Sequence, residues 1–372
     1  MPETNGHSKP RMSYDATPEW LRGGGEAGDV VLSSRVRVAR NIVGFPFMSR
    51  ATETDRQQIL ELCRKQILDT AADSLMFMDL HGISRFERML LTERQLISRQ
   101  HAKGKAGCPG RGGPDVPRGV AISVPGERVS IMVNEEDHLR MQVISVGLSL
   151  VNALEQVDQI DDKLEEGLTY AFSPRFGYQT ACPTNVGTGV RFGVMLHLPA
   201  LRMTGQLDKV RRAAGDMSLA VRGFFGEGSE ALGDLYQLSN QTTLGKSEQM
   251  LLHDLNNEIL PAVLEYERGE RRRLMDRRRN TIDDAVGRAI GVLRNARLLT
   301  TEEAMQSLSM IRLGLVLGLV GGMTEPEVNQ LMLQSQPGHL QHTVGRELSQ
   351  GDRRVERANL MRHRVEPLDF SA

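Results

Sequence analysis

The chain has 372 residues, 40% of them apolar and 25% charged, with 46 basic against 47 acidic side chains and a formal net charge of -1. That length accommodates two or three packed domains, and the balanced charge excludes the strongly basic surface of a dedicated nucleic-acid or anionic-membrane binder. Three cysteines without metal-ligand spacing, no apolar leader in the first twenty residues and a longest apolar run of only Leu313–Val320 lead us to expect a cytoplasmic protein without membrane spans, kept in a reducing compartment.

Residues 1–28 are polar, rich in Gly and Pro, and read as a flexible N-terminal segment. Asp29–Arg40 (DVVLSSRVRVAR) alternates Arg with Val, the pattern of a strand with one wet face, which puts Arg35 and Arg37 on the same side. Thr54–Ala72 has apolar residues at helical spacing behind a Thr cap. Lys103–Gly119 is dense in Gly, Pro and Arg and reads as a loop, one that covers a site, meets a partner or is a disordered insertion. Val120–Val124 and Val129–Val133 read as two strands joined at Pro125-Gly126. Met141–Val157 reads as a helix, Val186–Leu198 and Ala220–Phe225 as strands. From about Gln249 to Val365 the pattern becomes helical, so a boundary is placed near Ser247–Asn257, dividing the chain into 29–252 and 253–372.

Familiar nucleotide motifs are missing. Gly245-Lys246-Ser247 resembles the end of a phosphate loop, but position 240, where its first Gly belongs, is Asn240. There is no G-x-G-x-x-G after a strand and no H-R-D or D-F-G. Any phosphate site must therefore be built mainly from side-chain cations. Four segments offer the material. The first is Ser33-Ser-Arg-Val-Arg-Val-Ala-Arg, in which two guanidinium groups on one face either sit in water or clamp an oxyanion. The second is Val133-Asn-Glu-Glu-Asp-His-Leu-Arg140, whose acids either decorate a helix start or serve chemistry. The third is Thr180-Ala-Cys-Pro-Thr-Asn-Val-Gly-Thr-Gly-Val-Arg191, a loop at a sheet edge or a plain turn with a thiol. The fourth is Val221-Arg-Gly-Phe-Phe-Gly-Glu-Gly-Ser-Glu230, a strand ending in an acidic loop.

In this order the four segments resemble the catalytic segments of the phosphagen (guanidino) kinase superfamily, and NEEDHLR, CPTNVGTGVR and RGFFGEGSE are similar to those of the bacterial protein-arginine kinases in particular. The resemblance covers Asp29–Glu248 closely and the helical tail more loosely. It implies an α+β fold, a curved and mainly antiparallel sheet flanked by helices, followed by an all-α C-terminal domain. It implies ATP and Mg2+ as cofactors and phosphorylation of arginine side chains on proteins, in protein quality control or stress response. By the same resemblance Arg35, Arg37, Arg140, Arg191 and Arg222 cage the nucleotide phosphates. Ser33, Ser34, Val36 and Gln95 belong to the nucleotide site, as do Phe192, Gly193, Val194, Met195, Gly223, Phe224, Phe225 and Gly226. Glu136 and Glu227 hold the substrate guanidinium, and Cys182 sits against it. The family commonly has His where this chain has Gln95, which hydrogen-bonds but carries no charge.

The tail segment Arg353-Arg354-Val-Glu-Arg357-Ala358 matches a phosphoarginine-binding motif except that Arg354 replaces its acid. Four residues apart on a helix, Arg353 and Arg357 share a face. The resemblance further implies a homodimer, substrate proteins with exposed arginine, an activator protein and a Clp protease as partners, and neither nucleic acid nor membrane. Two other functions compete. A kinase for free arginine would be expected to carry the helical N-terminal domain of the small-molecule enzymes. A non-catalytic binding protein would not need Glu136, Glu227 and all five cage arginines.

Overall fold

The structure, a computed structural model, describes residues 12–71, 75–105, 113–223 and 232–370. In chain order its elements are β1 (Val31–Arg40), α1 (Glu53–Ala71), β2 (Leu75–Asp79), α2 (Arg85–Glu93), α3 (Arg99–Lys103), β3 (Gly119–Ser123), β4 (Val129–Val133), β5 (Leu139–Val146), α4 (Leu150–Glu165), β6 (Phe172–Ser173), β7 (Gly177–Tyr178), β8 (Val190–His197), α5 (Pro199–Met203), α6 (Leu207–Asp216), β9 (Leu219–Gly223) and β10 (Leu235–Asn240). Helices then dominate: α7 (Glu248–His253), a wider π turn (Asp254–Ile259), α8 (Leu260–Arg277), α9 (Arg279–Asn295), α10 (Thr301–Val316), α11 (Glu325–Gln334), α12 (Pro337–Val344) and α13 (Gln350–Arg364), with β11 (Val320–Gly321) and β12 (Asp369–Phe370) as a short pair.

Eight strands form one sheet in the order β2-β3-β4-β5-β1-β8-β10-β9, every pair antiparallel. The expected α+β sheet is therefore present, with the helical region after it. Alternation decides what each face meets. Val36, Val38, Met141, Val143, Phe192, Val194 and Leu238 point to one side and join a core with Ile59, Cys63 and Ile67 of α1 and Leu154 and Val157 of α4. On the other side Leu32, Ile144, Met195 and Leu235 meet the helical region, including Leu293, Met305, Leu308 and Ile311. Trp20 and Leu21, within the stretch expected to be flexible, are buried in this second core.

Polar groups stitch the same seam. Arg312, 1% exposed, donates to the carbonyls of Gly28 and Asp29, to Glu325 and to the ring of His197 at the end of β8. The stretch following the expected 252/253 boundary packs on the sheet, since Leu255, Ile259, Leu260, Val263 and Leu264 belong to the first core. Among the described residues no helix is long and apolar enough to cross a membrane.

Several expectations need correction. The helix expected over Met141–Val157 is a strand up to Val146, and α4 begins only at Leu150. β5 is covered on both faces along most of its length, so its side chains form the continuous apolar run that a buried helix would also show. The strand expected from Val186 starts at Val190, after Gly187 and Gly189 have turned the chain with positive φ. The cap of α1 is Thr52, whose hydroxyl accepts from the amide of Asp55. The expected loop from Lys103 contains the end of α3 and residues 113–118, and 106–112 lie outside the described residues.

Candidate active site

Strand register, set by the packing of the apolar face, gathers the cations. Arg37 lies opposite Gln142 of β5 and Arg191 of β8. Arg35 lies opposite Gly193, Arg140 opposite Ala39, and Arg222 opposite Gln237, itself paired with Met195. Cross-strand partners share a face, so all five expected arginines emerge on one side of the sheet. They line a cleft of about 320 Å³ together with Gln95, Ser98, Glu135, Glu136, Asp137 and Cys182.

Crowded cations lower one another's affinity for the proton. Arg35 is brought down to about 9 by burial first, then by Arg140 and Arg191. Arg37 falls well below the usual guanidinium range, again by burial first and then by Arg35, Arg140, Arg191 and Arg222. Such a cluster favours any anion that enters it.

The acids do not decorate a helix. They sit in the turn between β4 and β5, where Asn134 adopts a left-handed φ of 62°. Glu135 is buried and pairs with Arg140 at 2.9 Å while accepting from the Ser98 hydroxyl at 2.5 Å. Burial would raise its carboxyl, but Arg140, Ser98 and His101 hold it at about 2. Asp137 is also buried, and one of its oxygens accepts from Asn41 Nδ2 at 2.6 Å and from the amide of Ala181 at 2.7 Å. Glu135 and Asp137 hold these protein partners, and Glu136 between them, which also interacts with the charge of Arg140, is half-buried at the cleft wall.

Gln95 is placed by the end of α2. It stands at φ 64° just past the last turn, with Leu96 N bonded to Leu91 O and Gln95 N to Thr92 O, a left-handed helix stop usually given to Gly. Its carbonyl accepts from Gln142 at 2.6 Å, and its side-chain oxygen accepts from Arg35 at 3.3 Å. Its Nε2 and the Nε of Arg37 are buried without a hydrogen-bond partner.

Other expected residues lie elsewhere. Val36, Phe192 and Val194 face the first core at 0% exposure. Ser34 bonds Gly147 O and the Ser149 amide. Ser33, Gly193 and Met195 line a small neighbouring recess with Trp20. Gly223 ends β9, while Phe224, Phe225, Gly226 and Glu227 lie outside the described residues. In the tail, Arg357 is buried and donates to the carbonyls of Ser335, Leu299 and Arg353, while Ala358 packs in the second core. Arg353 is half-buried and donates to Leu348 O, and Arg354 is exposed.

Sequence reasoning missed Ser98, Gln142 and Gln237 and gave Glu135 no site role. The signal for the turn was present in an Asn between two apolar runs.

Cys182 is partly exposed at the cleft, its Sγ 3.0 Å from Thr184 Oγ1. Cys63 is fully buried, and burial pushes its thiol above the usual range. An alkylating reagent is expected to label Cys182 in the native protein and Cys63 only on unfolding. Peptide mass mapping reads this directly, and labelling of Cys63 at the rate of Cys182 would refute the placement.

Two family models match the chain: "ATP:guanido phosphotransferase, C-terminal catalytic domain" over residues 58–270 and "Protein-arginine kinase McsB C-terminal domain" over 279–371. The protein-arginine kinase of Halothermothrix orenii is 39% identical over 350 residues, covering 93% of this chain and 96% of its own. That of Symbiobacterium thermophilum is 41% identical over 354 residues, covering 94% and 97%. Among solved structures, the duplicated taurocyamine kinase of Schistosoma mansoni matches with a TM-score of 0.58 and 25% identity over 68% of this chain and 36% of that one. Lombricine kinase matches in fold with a TM-score of 0.56 and 23% identity, over 70% and 71%.

Proposed function

We infer the roles of the cleft residues from one premise: the chain belongs to the ATP:guanido phosphotransferase family, whose catalytic model matches 58–270. Within it the chain is a protein-arginine kinase, which transfers phosphate from ATP to arginine side chains on proteins. The observation that carries the assignment of roles is the convergence of five arginines, Glu136 and Cys182 on one cleft.

A guanidinium with a pKa above about 12 is a poor nucleophile until a proton leaves it. Glu136, with Glu227 as its counterpart by resemblance, grips the substrate guanidinium and aims one nitrogen at the γ-phosphorus. The N–P bond forms as the bond from that phosphorus to the bridging oxygen of ADP breaks. The proton leaving the nitrogen passes to the Glu136 carboxylate. Charge on the transferring oxygens is met by Arg35, Arg37, Arg140, Arg191 and Arg222, fixed in place on the sheet before reaction. Cys182 lies against the guanidinium. The orphan donors of Gln95 and Arg37 suit acceptors on a nucleotide.

The resemblance supports magnesium as the counter-ion of the ATP phosphates; among the described residues no three His, Cys, Asp or Glu side chains are grouped to hold a metal. When bound it supplies positive charge against the phosphate oxygens. We place the reaction in the cytoplasm and in protein quality control, with a homodimer, an activator and a Clp protease as partners. The resemblance supports these, as it does a phosphoarginine contact in the Arg353–Ala358 segment, while the division into segments 1–28, 29–252 and 253–372 rests on the change in sequence texture.

Labelled ATP with an unfolded arginine-bearing protein, its Arg-to-Lys version and free arginine tests the activity. Acid-labile label is expected on the first acceptor and far less on the others. Faster labelling of free arginine would point to a small-molecule kinase, and no acid-labile label at all to a binding protein.

A further inference from the structure

Gln95 stands in the cleft in a conformation that residues with a Cβ rarely adopt. Its φ of 64° is left-handed, and such a backbone persists only where its surroundings hold it. Gln142 of β5 holds it on the sheet side, by a bond to its carbonyl. The helical region holds the two residues before it.

Thr92 and Gln95, three apart, line the cleft. Glu93 and Arg94 between them are buried and meet α12. Glu93 Oε1 accepts from Gly338 N at 2.7 Å. Its Oε2 accepts from His339 N at 2.9 Å and lies 2.7 Å from His339 Nδ1. The carboxylate thus caps α12, whose own first residues supply no side-chain cap. The fit is tight, since a Cβ added at Gly338 would stand 2.8 Å from Glu93 Oε2. Arg94 grips the Glu127 carboxylate with two nitrogens, each at 2.7 Å. It also donates to the carbonyls of Tyr14 and Ala16 and, at 3.2 Å, to Nε2 of His339. A guanidinium only donates, so Nε2 accepts and Nδ1 carries the proton that goes to Glu93. One buried imidazole therefore ties both residues that precede Gln95 to a helix far away in sequence.

On the cleft side, Gln95 Oε1 accepts from Arg35 at 3.3 Å, and its Nε2 is buried without a partner. We propose that His339, with Glu93 and Arg94, is a positioning residue for Gln95, so that the seating of α12 sets how tightly the cleft holds ATP. This rests on the reading of the cleft as a nucleotide site. A donor serves a ligand best when it is fixed before the ligand arrives. A Gln with positive φ relaxes once its anchors loosen, and its amide and its contact with Arg35 move with its backbone. None of Glu93, Arg94 and His339 lines the cleft, so they reach ATP only through the residues that do.

Titration of the full chain with ATP by calorimetry tests this as a double-mutant cycle. His339→Ala is expected to raise both Kd and KM for ATP by about tenfold, with kcat at saturating ATP within about twofold of wild type. His339→Asn keeps a donor for Glu93 and should keep most of the affinity. Gly338→Ala displaces the carboxylate and should reproduce the loss. Gln95→Ala should weaken ATP binding by a similar factor, and His339→Ala added to it should cost no more than about a further twofold. Where His339→Ala does not fold, Gly338→Ala with Gln95→Ala gives the same cycle. A His339→Ala protein that melts earlier but binds ATP as wild type does makes the joint purely structural and overturns the proposal. Losses that multiply in the double variant overturn it too, since His339 then acts elsewhere. Wild-type ATP affinity in Gln95→Ala sinks the nucleotide role of Gln95 and the proposal with it, a result distinct from both of those.

Discussion

Glu136→Gln is expected to lower phosphoryl transfer to protein arginine by about 10²–10³-fold while leaving ATP affinity close to wild type. A preorganised polar group acting on the transition state contributes ~2.7–4 kcal/mol in comparable sites. Glu135 neutralises Arg140 and accepts from Ser98, and Asp137 ties Asn41 to Ala181. Glu136 stands between them at the cleft wall. Single-turnover assays with labelled ATP measure the chemical step, and calorimetry measures nucleotide binding. Retention of more than about a tenth of the wild-type rate would contradict a transition-state role of that size. Glu135→Gln provides the contrast. It removes the counter-charge of a nucleotide-site arginine, so ATP binding and stability should change together. Glu227→Gln is expected to match Glu136→Gln on the strength of resemblance.

Glu267→Ala should destabilise the fold by about 3–5 kcal/mol, the usual cost of stripping one partner from a buried ion pair. Glu267 is 0% exposed. One oxygen accepts from Ala200 N at 3.1 Å and from Arg271 Nε at 2.8 Å, and the other from Leu201 N at 3.0 Å. A carboxylate on α8 thereby caps α5, which has no side-chain cap of its own. Arg271 goes on to bond the carbonyls of Asp29 and His197, so the group joins three parts of the chain. Removing it leaves the amides of Ala200 and Leu201 and the Nε of Arg271 buried without that acceptor. A fall in the unfolding temperature of roughly 10 °C is the expected reading. A loss below about 1 kcal/mol would mean that water fills the space and bonds the same donors. Glu267→Gln keeps one acceptor and should fall between.

The placement of the cleft and the seam around Glu267 differ in how far the sequence reveals them. Alternation along Asp29–Arg40 fixed Arg35 and Arg37 to one face without any structure, because a strand's period is two whatever it pairs with. The Pro125-Gly126 hairpin and the helical texture after Gln249 were legible for similar local reasons. Resemblance then identified Arg140, Arg191, Arg222, Glu136 and Cys182 as one set. Nothing in the one-dimensional pattern, however, says that Arg37 stands opposite Arg191, 154 positions away by the difference of their numbers. That register follows from how Val36, Phe192 and Leu238 pack in the apolar core.

Burial also hid β5, since a strand covered on both faces loses its alternation. Arg357 shows the same limit from the other side. Its spacing from Arg353 suggested a shared grip on phosphate, but the fold spends its guanidinium on the carbonyls of Ser335 and Leu299, both far from it in sequence. Gln95 took a left-handed helix stop that its residue type does not announce. By itself, then, the sequence determined which residue types face together within an element and which family they belong to. Tertiary structure decided which distant charges meet and which are used up, because a buried polar group must take whatever partner the packed core brings within hydrogen-bond reach.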